Sequence, residues 1–144
     1  MADTFNRKTR SWIMSRIKGQ NTKPEQQAAS LFRKLHVKFR RNVKTLPGSP
    51  DFVLVSRKKV IFIHGCFWHG HKLCQRSRRP TTNRRFWNDK IDGNIRRDLR
   101  VKRKLRRMGW DVLAVWECRM KDERLFKLKV VKFLSQKPGA CIEA

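Results

Sequence analysis

Two uninterrupted apolar runs, Asp51-Phe-Val-Leu-Val55 and Val60-Ile-Phe-Ile-His64, are separated only by Ser56-Arg-Lys-Lys59, and they constrain this chain more than any other feature. Apolar runs without polar alternation belong to strands buried on both faces, and a short polar link between them makes an antiparallel hairpin. Such a hairpin needs helices above and below it. Thr22-Lys-Pro-Glu25 has the form of a capping box, and Ala28, Leu31, Phe32 and Leu35 follow at helical spacing, which predicts a helix over 23–35. Val37 and Phe39 alternate with basic residues and predict a short strand reaching Arg41, and Leu46-Pro-Gly-Ser-Pro50 predicts a turn. Farther on, Ile91, Ile95, Leu99, Leu105 and Met108 mark one stripe of a basic helix over 86–108, stopped by Gly109. Trp110 to Trp116 reads as another buried strand, and Leu125, Leu128, Val131 and Leu134 lie at spacing three on a last helix. The order predicts an α/β fold: a single domain with a mixed central β-sheet flanked by helices. Residues 1–20 read as a basic arm able to wrap a duplex, 21–136 as the folded domain and 137–144 as a tail.

The charge balance names the kind of partner. Among 144 residues there are 37 Lys and Arg against 11 Asp and Glu, a formal charge of +26, which calls for a polyanion. Five Trp and nine Phe exclude a disordered basic tail, since such tails lack the apolar surface needed to offset ordering entropy. No run approaches the ~20 apolar residues of a membrane span, and the first residues lack the apolar core of a signal peptide, so a cytoplasmic chain with no membrane partner is predicted. In a reducing compartment the four cysteines point to metal before disulfides.

Cys66, His71 and Cys74 fall within eleven residues, His64-Gly-Cys-Phe-Trp-His-Gly-His-Lys-Leu-Cys74, and Cys118 closes a later strand. Three Cys and one His complete a tetrahedral set with no open position, the pattern of structural zinc. The alternative is a group of ordinary buried thiols and loop histidines. Cys141 reads as a free thiol, and His36 sits apart. His64 and His69 are left over beside the metal knot, either as loop residues or as chemistry. Asp51 opens its strand after Pro50 while the antiparallel neighbour ends at His64, so a carboxylate and an imidazole are predicted to meet. Glu25 is the best candidate for a second acid, although capping explains it equally well; Glu117 is a weaker competitor. Phe67-Trp68 and Phe86-Trp87 are large rings in basic surroundings, available to wedge into a base step or else plugging the core around the zinc.

Pro50-Asp51 opening a strand resembles half of a PD-(D/E)xK nuclease core. The neighbouring Phe62-Ile63-His64 lacks that pattern's second acid and its lysine. A closer resemblance covers residues 9–118. It is carried by Thr9-Arg-Ser11 with Met14, Asn21-Thr22 with Glu25, Leu46-Pro-Gly-x-Pro-Asp-Phe52, His64-Gly-Cys-Phe-Trp-His69, Phe86-Trp87 with Lys90-Ile91 and Asn94, and Gly109-Trp110 through Val115-Trp-Glu-Cys118. On these residues the chain resembles the very-short-patch repair (Vsr) endonucleases. The resemblance implies a restriction-endonuclease-like fold and the nicking of double-stranded DNA 5′ of the thymine in a T:G mismatch left by deamination of 5-methylcytosine. It implies catalytic Mg2+ on Asp51 and the backbone carbonyl of Ile63, His69 as base toward water, and Glu25 and His64 supporting water and the scissile phosphate. Phe67, Trp68 and Trp87 match the intercalating wedge, Met14 enters from the minor groove, and Lys90 and Asn94 read the mispair. Cys66, His71, Cys74 and Cys118 match the structural zinc set. Partners implied are mismatched duplex DNA and mismatch-repair factors, in the nucleoid of a bacterium, and a nick needs only one active site, hence a monomer. Two departures stand out: Ile63 replaces a threonine, and His71-x2-Cys74 has a two-residue gap in place of one. Two other readings remain, a restriction-type or structure-specific nuclease and a zinc-stabilised DNA-binding protein without catalysis.

Overall fold

The computed structural model describes residues 22–136; Met14, Cys141, the arm 1–20 and the tail 137–144 lie outside them. Helix α1 (Lys23–Lys34) begins where the sequence places it. Thr22 is its N-cap, Pro24 sits in the first turn, and Thr22 and Glu25 exchange reciprocal capping bonds. The chain then forms a four-stranded sheet in the order β1 (Arg40–Arg41), β2 (Phe52–Leu54), β3 (Lys59–His64) and β4 (Asp111–Trp116). The hairpin β2–β3 is antiparallel and central, and β3 and β4 run parallel, so the sheet is mixed. Helix α2 (Arg84–Arg107) makes the crossover between them, and α3 (Glu123–Ser135) closes the domain.

The burial pattern explains the layering. Phe52, Leu54, Ile61, Leu113 and Val115 face one side, where Ala28, Ala29 and Phe32 of α1 meet Phe126, Val130 and Phe133 of α3. Val53, Val60 and Val112 face the other side and pack on Leu105 of α2 and on Trp110. The period-2 alternation of a strand thus serves two cores at once. None of the described helices is long and apolar enough to cross a membrane.

Several local expectations are corrected. Only Arg40 and Arg41 of the predicted 37–41 segment pair as strand, because Val37 and Phe39 turn inward, Phe39 against the rings of Phe32 and Phe52. On α2 the inward stripe runs through Ile91, Ile95, Val101 and Leu105, whereas Leu99 and Met108 are exposed. On α3 the residues at spacing three, Leu125, Leu128 and Val131, face outward, and Phe126, Val130 and Phe133 are buried instead. Spacings of four and three keep to one face of a 3.6-residue helix, and repeated threes drift off it. Gly109 stops α2 as expected: at φ +90 it lets its own N–H reach Arg106 O and that of Trp110 reach Leu105 O, a Schellman closure that also packs Trp110 against Leu105.

Lys59 and Asp111 are register partners at the start of β3 and β4, and their 2.9 Å ion pair is 1% and 7% exposed beneath the ring of Phe133.

Candidate active site and metal centre

The parallel register of β3 and β4 sets His64 beside Trp116. Two residues beyond each, the chain places Cys66 and Cys118, and this common offset builds the metal centre. The ligand atoms of Cys66, His71, Cys74 and Cys118 all lie within 4.8 Å of one another, with Cys118 Sγ 3.4 Å from His71 Nδ1. Burial and the adjoining Cys118 and Cys74 thiols push the Cys66 thiol up to about 12, a group that ionises only when a cation is supplied. Burial, with Arg119 and Lys129 nearby, lowers the His71 pKa and favours the neutral imidazole that a metal takes. Three thiols and one such imidazole in a closed set fit zinc.

Asp51 and Glu25 form a carboxylate pair against β3. Asp51 Oδ2 accepts from Ile63 N–H at 2.7 Å, so the contact at position 63 is made by its amide. Burial and a hydrogen bond to Glu25 raise the Asp51 pKa to about 8, against the opposing pull of the Ile63 N–H and the Arg41 guanidinium. Glu25 is 3% exposed and also accepts from Thr22 N–H at 2.7 Å, so its capping role and its place beside Asp51 are both realised. A partly buried carboxyl held protonated against a buried neighbour is matched by a hard divalent cation, which would replace the proton on Asp51; the donor set fits Mg2+.

His64 and His69 form an imidazole pair at the end of the same strand. Their rings stack 4.0 Å apart at 5°. Burial and the adjacent His69 hold His64 down at about 3, so it is neutral at pH 7. His69 Nδ1 lies 2.6 Å from Asp98 Oδ2. Asp98 was not foreseen. Its signal was its place on α2, three residues after Ile95 and so on the inward stripe, where an apolar Leu99 was expected to point. His64, His69 and Asp98 also bring ligand atoms within 4.8 Å of one another, but parallel stacked imidazoles direct their lone pairs side by side and do not converge on one ion.

Above these groups stands a knot of rings. Phe67 meets Trp68 and Trp87 at centroid distances of 5.1 and 5.5 Å, and Phe86 meets Trp87 at 5.1 Å. Trp87 is buried at the base of the knot while Phe86 is 55% exposed. Asn94 does not stand free, because its Nδ2 donates to Trp68 O at 2.9 Å; Lys90 is exposed. Trp116 stacks on His71 at 4.2 Å and meets His64 edge-on at 5.2 Å, so a column of rings connects the two clusters. Arg76 reaches Glu117 at 2.7 Å, and Arg79 bridges Asn88 and Asp92, tying the loop before α2 to its neighbours.

Residues 2–76 match the family described as DNA mismatch endonuclease Vsr. The chain belongs to this family. It is 43% identical over 121 residues to the DNA mismatch endonuclease Vsr of Escherichia coli K12, covering 84% of this chain and 77% of that protein. It is 39% identical over 122 residues to a type II nicking enzyme of Xanthomonas oryzae pv. oryzae, covering 85% and 89%. A type II nicking enzyme of Neisseria meningitidis serogroup A is 35% identical over 136 residues, covering 94% and 96%. Within this Vsr-family chain, Glu25 and Asp51 make the carboxylate pair, His64 and His69 the stacked imidazoles, Cys66 a member of the Cys/His cluster, and Phe67, Trp68, Phe86 and Trp87 the ring knot.

Two expectations follow. Asp51 and His64 act on metal-free stability in opposite senses. The raised Asp51 pKa contributes stability that is present below 3.8 and lost as pH rises through about 8; the lowered His64 pKa contributes stability present above 6.5 and lost as pH falls toward about 3. Of these two groups, only Asp51 acts between pH 6.5 and 8. In that window the melting temperature of chelated protein should fall by up to about 6 °C, from ~2 kcal/mol. Millimolar Mg2+ should restore it, and Asp51→Asn should remove both effects; a melting temperature flat across that window contradicts the proton held on Asp51. Gly70, immediately after His69, has φ +59, and a Cβ there would lie 2.6 Å from Ile95 Cδ1. Gly70→Ala should therefore lose roughly 2–3 kcal/mol of stability in urea unfolding, through backbone strain and overpacking together.

Proposed function

We propose that this protein is a Mg2+-dependent endonuclease with a restriction-endonuclease-like core that nicks duplex DNA 5′ of the thymine in a T:G mismatch, the step that opens very-short-patch repair. What carries the reading is the carboxyl pair Asp51 and Glu25 held at Ile63 of β3, the residue next to His64, whose ring stacks on that of His69. The names of the relatives, a mismatch endonuclease and nicking enzymes, support it. So does the charge of +26 for a DNA partner.

Asp51, with Glu25 beside it and the Ile63 peptide adjoining, would hold Mg2+. Bound there, the ion supplies charge stabilisation at the scissile phosphate. His69 directs Nδ1–H toward Asp98 and presents Nε2 to take a proton from the attacking water. Asp98 positions that ring. His64, uncharged beneath it, adds no repulsion to the protonated His69 and orients water beside the phosphate. Hydrolysis leaves a 5′-phosphate and a 3′-hydroxyl. Phe67 and Trp68, braced by Trp87, form the wedge that opens the base step, which costs less at a mispair than at a matched pair. Asn94, through Trp68 O, sets the height of the wedge, and Lys90 faces the mispair; Met14 would enter from the minor groove. Zn2+ on Cys66, His71, Cys74 and Cys118 is structural. The enzyme acts as a monomer in the bacterial cytoplasm, with mismatch-repair factors as partners.

The test is strand nicking of a duplex with one T:G pair in Mg2+, beside a matched duplex and Asp51→Ala. The expected result is one nick on the thymine strand, absent from both controls. Cleavage of the matched duplex alone would favour a restriction-type enzyme, and DNA binding with no strand scission would favour a non-catalytic binding protein.

A further inference from the structure

Arg96, Arg100, Arg103 and Arg107 repeat at spacings of four, three and four along α2, and all four are exposed. They make one row about 16 Å long. Asp98, which meets His69, and Asn94, which meets Trp68, mark the opposite side of the same helix; the arginine row lies roughly 140–180° around from Asp98. The row therefore points away from the site.

A solvated basic helix is the plain alternative, and it explains part of the pattern. Cations in a last turn complement the helix dipole, which accounts for Arg107. Arg96, Arg100 and Arg103 lie one to three turns farther back, where that effect has faded. Solvated basic helices also intersperse acids at three or four residues, and here none occurs from Leu99 to Trp110. Among the described residues Asp98 is engaged by His69 and Asp92 pairs with Arg79 while also attracting Arg96 at a longer range, and none of the four arginines makes an ion pair within 4 Å. Four like charges at helical-neighbour spacing repel one another, so the row is destabilising until an anion faces it. Its regular spacing suits an extended polyanion, not a single phosphate.

We propose that this row is a second DNA-binding surface, which grips the backbone of another duplex segment without reading sequence while the site scans its own. The inference rests on the reading of DNA as substrate. Its consequence is kinetic: a protein holding two segments transfers between them and locates a rare mismatch in long DNA faster, with no change in the chemistry at the mismatch.

The test uses the full chain with all four arginines changed to Gln, and separately to Lys. On matched duplex the slope of log affinity against log salt should fall in magnitude by about 3 to 4 for the Gln variant and stay unchanged for the Lys variant. On a duplex of about 20 base pairs holding one T:G pair, kcat/KM should stay within twofold of the parent. With the same mispair in a circle of several kilobases, it should drop about tenfold for Gln. An unchanged salt slope for the Gln variant overturns the proposal and leaves a solvated or protein-facing ridge. Equal losses on short and long DNA also overturn it, by making the row part of the site. A parent protein that nicks no T:G duplex instead defeats the function proposed above, while the salt slopes still decide whether the row binds DNA.

Discussion

Cys66→Ser should lower the melting temperature by 10 °C or more and release the metal, whereas the parent should carry one zinc per chain by elemental analysis. The size follows from linkage: a structural zinc contributes its binding free energy to folding, on the order of several kcal/mol even in a domain with its own core. Cys66 is the most buried of the four ligands and its thiol resists ionisation without a cation, so serine there leaves three ligands around a group that cannot be charged. His71→Ala should follow the same course. Metal-free parent protein melting at the same temperature as the metal-loaded form would reduce the cluster to ordinary buried thiols.

Lys59→Met should cost about 3 kcal/mol in urea unfolding, because it removes the buried cation that faces the Asp111 carboxylate. Lys59→Met with Asp111→Leu should recover most of that loss, since the desolvation of both charges disappears together. This comparison separates the cost of removing one partner from the net worth of the pair. If the double variant is no more stable than the single one, the pair stabilises the sheet in its own right.

Much of this architecture was legible because local chemistry and tertiary packing agree. Thr22 and Glu25 announce α1, the two apolar runs announce β2 and β3, and Gly109 ends α2 by a closure that only a positive φ permits. The Cys/His cluster was legible from spacing, since its first three members are close in sequence and Cys118 follows a recognisable strand. Asp98 escaped because a stripe was traced by hydrophobicity alone. An acid on the inward face breaks the apolar pattern at the place where it does something. Lys59 and Asp111 escaped for a related reason: charged residues at the start of strands read as turn residues until the register shows that they face each other. The outer residues of α3 misled in the opposite direction, as leucines on the solvent side imitate a core stripe. Glu25 shows that two readings of one residue need not compete, because capping fixes the carboxylate that Asp51 then shares.

Two left-handed glycines give α2 an office beyond packing. Gly48, at φ +75 in the turn that delivers Asp51, lies against Val101, and Gly70, next to His69, lies against Ile95. One rigid rod thus acts as a jig for both loops, and the gap between acid and base is gauged by six residues of helix. Inserting a single residue between Ile95 and Val101 would swing the two bearings about 100° apart, detuning the pair although every reactive side chain is still present.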